Sequence, residues 1–233
     1  MSGVQLEDGR LVAPCAVNQS RAACFSDDHG DTWHAGQPVP LSSGAIPLEH
    51  AETSEGMPLH MPMSADSPLW AEKLGALGET SVTRDGRGPR SLTFFIRAGS
   101  SRLASHAYAL SDDGGETWSA AVPLPSIIGP TCEGGVVGSP GGPGQILMSA
   151  PYSHDAGLTG REDLRLWLLD VGRGEAPAPK MLGRLWGCKG AYSAFSQEPG
   201  GDKEVLSLFE AGETYRYESV VLARFRAPAG VVG

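Results

Sequence analysis

Short apolar runs separated by polar, glycine-rich turns fill most of the chain. Near its start, the runs Gly3–Leu6 and Arg10–Ala13 flank the turn Glu7–Gly9. Two apolar runs on either side of a glycine-ended turn are typical of a β-hairpin. The same arrangement recurs in two later pairs of runs, Gly135–Gly138 with Gln145–Ala150 and Glu204–Glu210 with Ser219–Phe225. The pattern predicts an all-β protein of short antiparallel strands.

No segment has the apolar spacing of a convincing amphipathic helix. Within the proline-rich stretch Ser43–Gly78, the segment Ser67–Leu77 could hold one short turn, because Pro68 suits a first helical position. We interpret residues 43–78 as a long loop insertion and Gly172–Lys180 as a second loop. Since strand patterning resumes on either side of both loops, we expect residues 1–233 to form a single domain.

Composition agrees with this pattern and excludes one class of partner. The chain has 233 residues with 40% apolar content, enough for a substantial core, and its 32 glycines and 18 prolines fall between the apolar runs. The formal charge is -9, and the basic residues form no cluster. We therefore expect no nucleic-acid partner. An anionic ligand would require local arginines.

The cysteines and the chain start give no sign of a metal or a membrane. Cys15, Cys24, Cys132 and Cys188 lack CxxC spacing and histidines at zinc-like intervals, so no metal site is predicted. Free buried thiols are the simpler interpretation, with a disulfide as the alternative. Met1–Asp8 has no signal-peptide pattern, and no apolar run is long enough to cross a bilayer. We expect no transmembrane segment.

Two eight-residue segments, Ser26–Trp33 and Ser111–Trp118, share the pattern Ser-x-Asp-x-Gly-x-Thr-Trp. The fixed residues are Ser26, Asp28, Gly30, Thr32 and Trp33 in the first copy and Ser111, Asp113, Gly115, Thr117 and Trp118 in the second. The aspartate and hydroxyl oxygens can accept bonds from backbone N–H groups, and the glycines can supply a positive φ. The pattern predicts a tight hairpin turn whose tryptophan folds back into the apolar layer.

This motif resembles the Asp box of sialidases, which lies on the hairpin between the outer strands of a propeller blade. Its role there is structural, so we assign no catalytic role to Asp28 or Asp113. Asp boxes also occur in sorting receptors, in some other glycosidases and in non-enzymatic propellers. The boxes therefore indicate a fold, and other residues must indicate the function.

Further segments resemble sialidase motifs and follow the family's order. Gly78–Val82 resembles the Asn-Glu-Cys-x-Val segment, and Phe95–Arg97 resembles the Asn-x-Arg strand end. Cys132–Val137 resembles Cys-x-Gly-Ser-Val-Ile, Gly160–Leu164 resembles Arg-x-x-Leu, and Ala191–Ser193 matches Ala-Tyr-Ser. Together these motifs are more specific than any one alone. The resemblance implies a six-bladed sialidase-type β-propeller, of which this chain would supply roughly the last four blades.

The resemblance implies a binding site for the carboxylate of sialic acid. Arg97 and Arg161 would be two of three arginines that bind it through charge-assisted hydrogen bonds. Glu210, in the segment that matches the family's closing strands, would support substrate binding, with an exposed strand-end glutamate as the alternative. No metal or organic cofactor is implied.

The same resemblance implies a covalent mechanism with retention of configuration. Tyr192 would attack the anomeric carbon, because a carboxylate nucleophile would be repelled by the carboxylate of the substrate. A phenol is a weak nucleophile at neutral pH, so a base must take its proton. Glu79 would be that base, with Glu55 and Glu72 as nearby alternatives.

The sequence departs from the family at its start. It has no counterpart of the Tyr-Arg-Ile-Pro segment that supplies the first arginine, or of the aspartate that acts as general acid and base. We therefore expect an incomplete propeller with weak or no turnover, since general acid catalysis commonly contributes about 10²–10⁴-fold. Open blade edges would favour self-association or partner binding. Asp170–Gly172 stands where another Asp box is expected but keeps little of the pattern.

Three hypotheses remain open. The first is an exo-α-sialidase that removes terminal sialic acids from glycoproteins, gangliosides or oligosaccharides, with a sialylated glycan as partner. The second is a catalytically dead sialidase-like propeller that binds anionic glycans. The third is a propeller of the sorting-receptor kind, which would have no reason to bring Arg97, Arg161 and Tyr192 together. The resemblance is compatible with a cytoplasmic, lysosomal, membrane-associated or secreted protein.

Overall fold

The chain is a series of antiparallel strands, as the sequence predicts. A computed structural model describes residues 2–17, 20–40, 80–97, 105–130, 132–138, 141–152, 160–173, 178–197 and 204–227. Within these ranges the strands are β1 Val4–Gln5, β2 Leu11–Val17, β3 Ser20–Ser26, β4 His34–Ala35, β5 Thr80–Arg84, β6 Leu92–Ile96, β7 Ser105–Ser111, β8 Val122–Ile128, β9 Val136–Gly138, β10 Gln145–Tyr152, β11 Glu162–Asp170, β12 Lys180–Gln197, β13 Glu204–Gly212 and β14 Ser219–Arg226. Among the described residues, Val171–Arg173 forms a 3-10 helix. The all-β fold class is confirmed.

The strands form meanders in which each strand pairs with the next along the chain. The sheets have the orders β1-β2-β3-β4, β5-β6-β7-β8 and β9 through β14. Strand β12 belongs to two units, because Lys180–Lys189 pairs with β11 and Lys189–Gln197 pairs with β13. Its first half is thus the outer strand of one blade and its second half the inner strand of the next. The described strands make four successive blades of a propeller.

Buried apolar layers between the blades hold them together. Successive side chains of a strand point to opposite faces of its sheet. Phe94 therefore lies in a buried cluster with the first blade, whereas Phe95 lies in a cluster with Ile146 of the third. In the same way Leu147 packs with Phe195 of the fourth blade. Each blade is buried on the faces that neighbouring blades cover, which explains the apolar runs in the sequence.

Alternating strand direction gives the blades two distinct ends. The two Asp boxes follow the third strands, β3 and β7, and lie at one end, which we call the Asp-box face. The inner strands β5 and β9 and the inner half of β12 begin at the other end, which we call the opposite face. Residues far apart in sequence meet at each face.

The first Asp box forms the predicted turn. Ser26 Oγ accepts a hydrogen bond from Gly30 N at 2.8 Å, and Asp28 accepts from Thr32 N at 2.8 Å and from Thr32 Oγ1 at 2.6 Å. These bonds, first of all the one from the Thr32 hydroxyl, lower the pKa of Asp28 to about 2. Gly30 has a φ of 99°, as predicted. The box thus stabilises its own turn, in keeping with a structural role.

The second Asp box repeats these bonds. Ser111 Oγ accepts from Gly115 N at 2.9 Å, and Asp113 accepts from Thr117 N at 3.0 Å and from the Thr117 hydroxyl. Gly115 has a φ of 91°. Its missing side chain also matters, because a Cβ there would lie 3.2 Å from Val12 of the first blade. The glycine therefore serves both the turn and the contact between blades.

The tryptophans of the two boxes differ from each other. Trp118 is 7% exposed and packs against Phe94, with ring centres 4.9 Å apart, as predicted. Trp33 is 47% exposed, so the prediction that it folds into the apolar layer is wrong. Its indole N–H instead donates to the carbonyl of Gly30 at 3.0 Å. Trp118 faces the layer between two blades, whereas Trp33 closes over its own turn.

Arg10 joins the two Asp boxes. Its guanidinium donates to both carboxylate oxygens of Asp27, at 2.7 and 2.8 Å, and to Glu116 at 2.8 Å. The same group stacks over Phe25 at 4.3 Å. Asp27 and Glu116 occupy variable positions of the first and second box, so the ion pairs link neighbouring blades. The Asp27 hydrogen bond is the main cause of a raised pKa of Arg10.

The cysteines depart in part from expectation. All four are free thiols, and Cys132 is buried as predicted. Cys188 is exposed because it lies on the outer half of β12, so the prediction of a buried thiol is wrong there. Cys15 and Cys24 are only half-buried, on paired strands.

The last blade presents an apolar surface, and several predicted features lie elsewhere. Leu208 is 50% exposed, and Val220 and Leu222 are each 65% exposed. The expected self-association through open blade edges stays a prediction. The predicted insertion at 43–78, with its short turn, falls outside the described residues. No described helix has the length and hydropathy to cross a bilayer.

Candidate active site

The predicted site residues that the structure describes lie together on the opposite face. Arg97 directly follows β6, and Arg161 directly precedes β11. Tyr192 lies where the inner half of β12 begins, and Glu210 lies near the end of β13. Each position is a strand end on the same face, because neighbouring strands run in opposite directions. Glu79 falls outside the described residues.

Arg161 and Tyr192 are in direct contact. The guanidinium carbon of Arg161 lies 5.2 Å from the centre of the Tyr192 ring, within the range of a cation–π interaction. The two side chains also share a hydrogen bond. Burial opposes the charge on Arg161, but nearby Cys132, Tyr217 and Tyr192 outweigh it and raise the pKa of Arg161. The arginine therefore remains a cation beside the phenol.

Glu210 supports the backbone beside this pair. Its carboxylate oxygen Oε2 accepts a hydrogen bond from Tyr192 N at 3.1 Å. This contact holds the chain where β12 changes from an outer to an inner strand. The sequence suggested a role for Glu210 in substrate binding and gave no sign of this backbone contact.

A buried thiol lies within electrostatic reach of several charged groups. Cys132 is fully buried below the opposite face, and burial is the main cause that raises its pKa to about 12. Arg161, Arg97 and Arg216 oppose this rise through their positive charges, while Glu210 adds to it. Three arginines and one glutamate therefore lie within electrostatic reach of one point.

A small hydrogen-bonded layer fixes β9 against the inner half of β12. Gly135 N donates to Ser149 Oγ and to Ser193 Oγ, each at 3.1 Å, and the two hydroxyls lie 2.8 Å apart. A Cβ on Gly134 would lie only 1.8 Å from the carbonyl oxygen of Ser149. The glycines thus permit a close backbone approach beside Ser193, the residue that follows Tyr192.

A bulge next to Arg161 turns the start of β11. Asp163 has a φ of 51°, and the pairing of β10 with β11 shifts register at this point. The buried Asp163 carboxylate binds Arg165 at 2.6 Å and Arg184 at 2.7 Å. Arg165 also lies 3.8 Å above the Tyr152 ring. Bulges commonly redirect a nearby side chain, and this one holds the chain that leads into Arg161.

His106 lies under the site as a neutral side chain. Its ring stacks on Phe95 with centres 5.1 Å apart, and its Nε2 lies 3.3 Å from the carbonyl oxygen of Cys132. Burial is the main cause that lowers the pKa of His106 to about 4, and the charge on Arg97 adds to the effect. A neutral imidazole here donates to the backbone beneath the arginines without adding charge.

Sequence reasoning missed three residues of this face. Tyr217 accepts a hydrogen bond from Arg161 Nη1 at 3.2 Å, and Arg216 lies 5.3 Å above the Tyr217 ring. Arg21 begins β3 on this face, where burial and the charge on Arg97 lower its pKa. Tyr217 begins the segment Tyr217–Val221, which resembles the family's closing strands, and Arg216 precedes it, but the resemblance assigns neither residue a role.

A cavity of about 780 Å³ lies elsewhere, between the inner strands. Its lining includes Arg84, Gly138 and Gln197, which stand at the ends of inner strands on the Asp-box face. The cavity and the arginine cluster are therefore at opposite ends of the blades.

Comparisons with known proteins agree with this architecture. The BNR/Asp-box repeat family matches residues 109–120, which contain the second Asp box. The intramolecular trans-sialidase from Ruminococcus gnavus has a TM-score of 0.61 and 23% identity, over 96% of this chain and 42% of that chain. The NanB sialidase from Streptococcus pneumoniae has a TM-score of 0.61 and 18% identity, over 94% of this chain and 28% of that chain. The leech intramolecular trans-sialidase has a TM-score of 0.60 and 22% identity, over 96% and 31%.

These likenesses establish the fold. The chain carries an Asp-box repeat and has the β-propeller fold of sialidases, so the resemblance predicted from its motifs is confirmed at that level. The chain spans less than half the length of the three matched structures. A comparison with curated protein sequences gives no match.

Proposed function

We propose that this chain forms part of the site of a retaining exo-α-sialidase, which removes terminal sialic acids from glycoproteins, gangliosides or oligosaccharides. The observation that carries the proposal is the contact between Arg161 and Tyr192, whose ring lies 5.2 Å from the guanidinium. An arginine beside a half-buried tyrosine, with a second arginine on the same face, suits a substrate whose reacting carbon bears a carboxylate.

Arg97 and Arg161 would bind that carboxylate. A guanidinium offers planar donors that match the two oxygens of a carboxylate, and charge-assisted bonds of this kind are the strong ones. The positive charges of both arginines oppose the rise in the pKa of the buried Cys132 thiol, so both lie within electrostatic reach of it. This supports the proposal that they bind one ligand. The net charge of -9 belongs to the chain as a whole, so this local positive patch would be needed to attract an anionic sugar.

Tyr192 would act as the nucleophile. Its phenolic oxygen would form a bond to the anomeric carbon while the bond from that carbon to the leaving sugar breaks. Water would then attack the same carbon and release the tyrosine, and two inversions would give net retention. Arg161 beside the ring would stabilise negative charge on the phenolic oxygen as the proton leaves.

The remaining roles concern protons and positioning. Glu79, as the base, would take the phenolic proton and return it when the intermediate is hydrolysed. Glu210 would keep Tyr192 in place through the backbone bond at 3.1 Å.

The oxygen of a natural leaving sugar must also gain a proton. An aryl sialoside has a weakly basic leaving group, so its cleavage depends little on a general acid and tests the nucleophile directly.

A trapping experiment would test the nucleophile. The probe is a sialic acid with fluoride as the anomeric leaving group and a second fluorine on the adjacent carbon, which slows hydrolysis of the intermediate. Attack by Tyr192 would form a carbon–oxygen bond, release fluoride and leave the sugar on the tyrosine. Peptide mass spectrometry should find the adduct on Tyr192, and Tyr192→Phe should give none. Equal labelling of both proteins, or an adduct on another residue, would refute the nucleophile assignment.

Binding measurements would separate the catalytic proposal from its alternative. A propeller that binds anionic glycans without catalysis would bind sialic acid, lose affinity on Arg97→Met and Arg161→Met, and give neither adduct nor aryl sialoside cleavage. Product analysis adds one distinction, because two similar structures are intramolecular trans-sialidases. Free sialic acid would indicate hydrolysis, whereas an anhydro sugar would indicate intramolecular transfer.

A further inference from the structure

Tyr217 joins the turn between β13 and β14 to the candidate site. Its hydroxyl accepts a hydrogen bond from Arg161 Nη1 at 3.2 Å. The guanidinium carbon of the same arginine lies 5.2 Å from the centre of the Tyr192 ring. A residue of the last hairpin thus contacts the arginine that lies beside the proposed nucleophile.

Two phenols together restrain the guanidinium of Arg161. The arginine shares one hydrogen bond with Tyr192 and donates another to Tyr217. A guanidinium is planar, and its N–H donors point in fixed directions. Bonds to acceptors on two different elements fix this plane more firmly than one bond, because a single bond permits rotation about its own axis. The bond to Tyr217 therefore orients the donors of Arg161.

The turn that carries Tyr217 is held by one carboxylate. Glu218 accepts hydrogen bonds from the backbone N–H groups of Glu213 at 2.9 Å, Thr214 at 3.1 Å and Tyr215 at 2.7 Å, and also from the Thr214 hydroxyl. The hydroxyl bond is the main cause that lowers the pKa of Glu218 to about 2. The carboxylate stays charged at neutral pH, so the turn keeps one shape.

Further contacts hold the turn and the ring of Tyr217. Trp186 Nε1 donates to the carbonyl of Gly212 at 3.1 Å, where the turn begins. The Tyr215 ring stands edge-on to the Tyr217 ring, with centres 5.2 Å apart, and the guanidinium carbon of Arg216 lies 5.3 Å from the centre of the Tyr217 ring. Although Tyr217 is 42% exposed, its hydroxyl is therefore in place before any ligand arrives.

We propose that Tyr217 is a positioning residue, whose hydroxyl holds the guanidinium of Arg161 in the orientation that serves the ligand and the phenol of Tyr192. This inference rests on the proposed function, in which Arg161 binds the carboxylate and Tyr192 attacks the sugar. Tyr217 acts through Arg161, so loss of its hydroxyl should have an effect only while the guanidinium is present.

The first measurement is the rate at which the fluorinated sialic acid labels Tyr192. Tyr217→Phe removes one oxygen and keeps the ring, and labelling should be about 3-fold to 10-fold slower than in the wild type. In an Arg161→Lys background the same change should slow labelling by less than about 2-fold, because an ammonium has no plane to orient. Equal slowing in both backgrounds would refute an action through Arg161.

Tyr215→Phe is the matched control. It removes the hydroxyl of the other tyrosine in the same turn, which is 57% exposed, and it keeps the ring that stands against Tyr217. This variant should label like the wild type. Urea denaturation should give both Phe variants the free energy of unfolding of the wild type, so that slower labelling of Tyr217→Phe reflects the site and not the fold.

The second measurement does not depend on the reaction. Nitrogen-15 relaxation reports the ps–ns motion of the Arg161 Nε–H bond, and the loss of its signal in Arg161→Lys identifies it. The order parameter of this bond should fall in Tyr217→Phe and keep its wild-type value in Tyr215→Phe. The same order parameter in Tyr217→Phe as in the wild type would refute the positioning role.

The possible outcomes separate this inference from the proposed function. A wild type that forms no adduct on Tyr192 would refute the proposed function, and the order parameter would still decide whether Tyr217 holds Arg161. Equal labelling rates in the wild type and Tyr217→Phe would refute the positioning role and leave the proposed function standing. Slower labelling together with a more mobile Arg161 side chain would support both.

Discussion

The guanidinium of Arg161 lies 5.2 Å from the centre of the Tyr192 ring. Their positions are separated by a whole strand, a loop and the outer half of β12, so only the fold brings them together. The bulge at Asp163 and the bond from Tyr192 N to Glu210 hold the two ends of this contact. A cation next to the phenol is the feature from which the predicted chemistry follows.

Replacement of Arg161 by lysine should slow formation of the covalent adduct on Tyr192 by roughly 10-fold to 100-fold. Lysine keeps the charge but loses the planar donors and the stack over the ring. The rate of labelling by the fluorinated sialic acid measures the effect. Arg224→Lys on the last strand is the matched control and should label like the wild type. Equal rates for the Arg161 variant would show that the guanidinium has no part in the reaction.

Replacement of Asp113 by alanine should lower the free energy of unfolding by about 1–3 kcal/mol. The change leaves the N–H of Thr117 and the hydroxyl of Ser111 without their acceptor, in a turn packed between two blades. Urea denaturation measures the loss. Asp112→Ala changes the adjacent exposed residue, whose ion pair with Arg87 at 2.9 Å is a surface contact, and should cost less than about 1 kcal/mol. Equal losses would contradict the structural role of the box.

Much of the fold could be predicted because the turns carry local signals. Gly30 and Gly115 adopt the positive φ that their place in the Asp box requires. The predicted hairpins β1–β2 and β13–β14 form on either side of their glycine-containing turns. The exposure of Trp33 could not be predicted, because it depends on which blade covers the turn. Local pattern determines a turn, whereas burial depends on neighbours that are distant in sequence.

The site was predictable only where a motif marks a residue. Arg161 and Tyr192 stand in recognisable segments, and the structure brings them into contact. The resemblance assigns no role to Tyr217 or Arg216, and their nearness to Arg161 depends on the pairing of β13 with β14. A contact between residues of different blades produces no periodic pattern in the sequence.

Replacement of Arg10 by methionine should lower the free energy of unfolding by about 1–3 kcal/mol. The side chain is 5% exposed and holds carboxylates of both Asp boxes. Those carboxylates are about half exposed and can return to water, which limits the cost. Urea denaturation of Arg10→Met, Glu116→Gln and the double variant measures the coupling. If the two single losses simply add in the double variant, the ion pair between Arg10 and Glu116 does not contribute to the link between the blades.

The cysteines should react with a thiol reagent at very different rates. At pH 8, Cys188 should react first because its side chain is exposed. Burial raises the pKa of Cys132 to about 12, and burial together with the neighbouring Cys24 does the same for Cys15. The thiolate is the reactive form, so Cys132 should react only as the protein unfolds, and the half-buried Cys15 should react more slowly than Cys188. Peptide mapping after brief iodoacetamide treatment identifies the labelled residues. Rapid labelling of Cys132 in the native protein would contradict its burial below the site.

Stability should fall in two steps as the pH is lowered, and His106 should cause the first. The pKa of His106 lies at about 4 in the folded chain, below its ordinary 6.5, chiefly because burial disfavours the charged ring. Between these values the unfolded chain binds a proton that the folded chain does not. The contribution of His106 is therefore complete above pH 6.5 and is lost toward pH 4, at up to about 1.4 kcal/mol per pH unit.

Carboxylates cause the second step, which occurs at lower pH. Hydrogen bonds lower the pKa of Asp28 and of Glu218 to about 2, so the stability from these carboxylates persists above their unfolded values and is lost as the pH falls from about 4 toward 2. Urea denaturation between pH 7.5 and pH 4 isolates the histidine. His106→Gln can still donate to the Cys132 carbonyl but cannot gain a proton, so its stability should stay nearly level in this range. The exposed His34, changed to glutamine, is the control and should keep the wild-type slope. An unchanged slope in His106→Gln would assign the first step to another group.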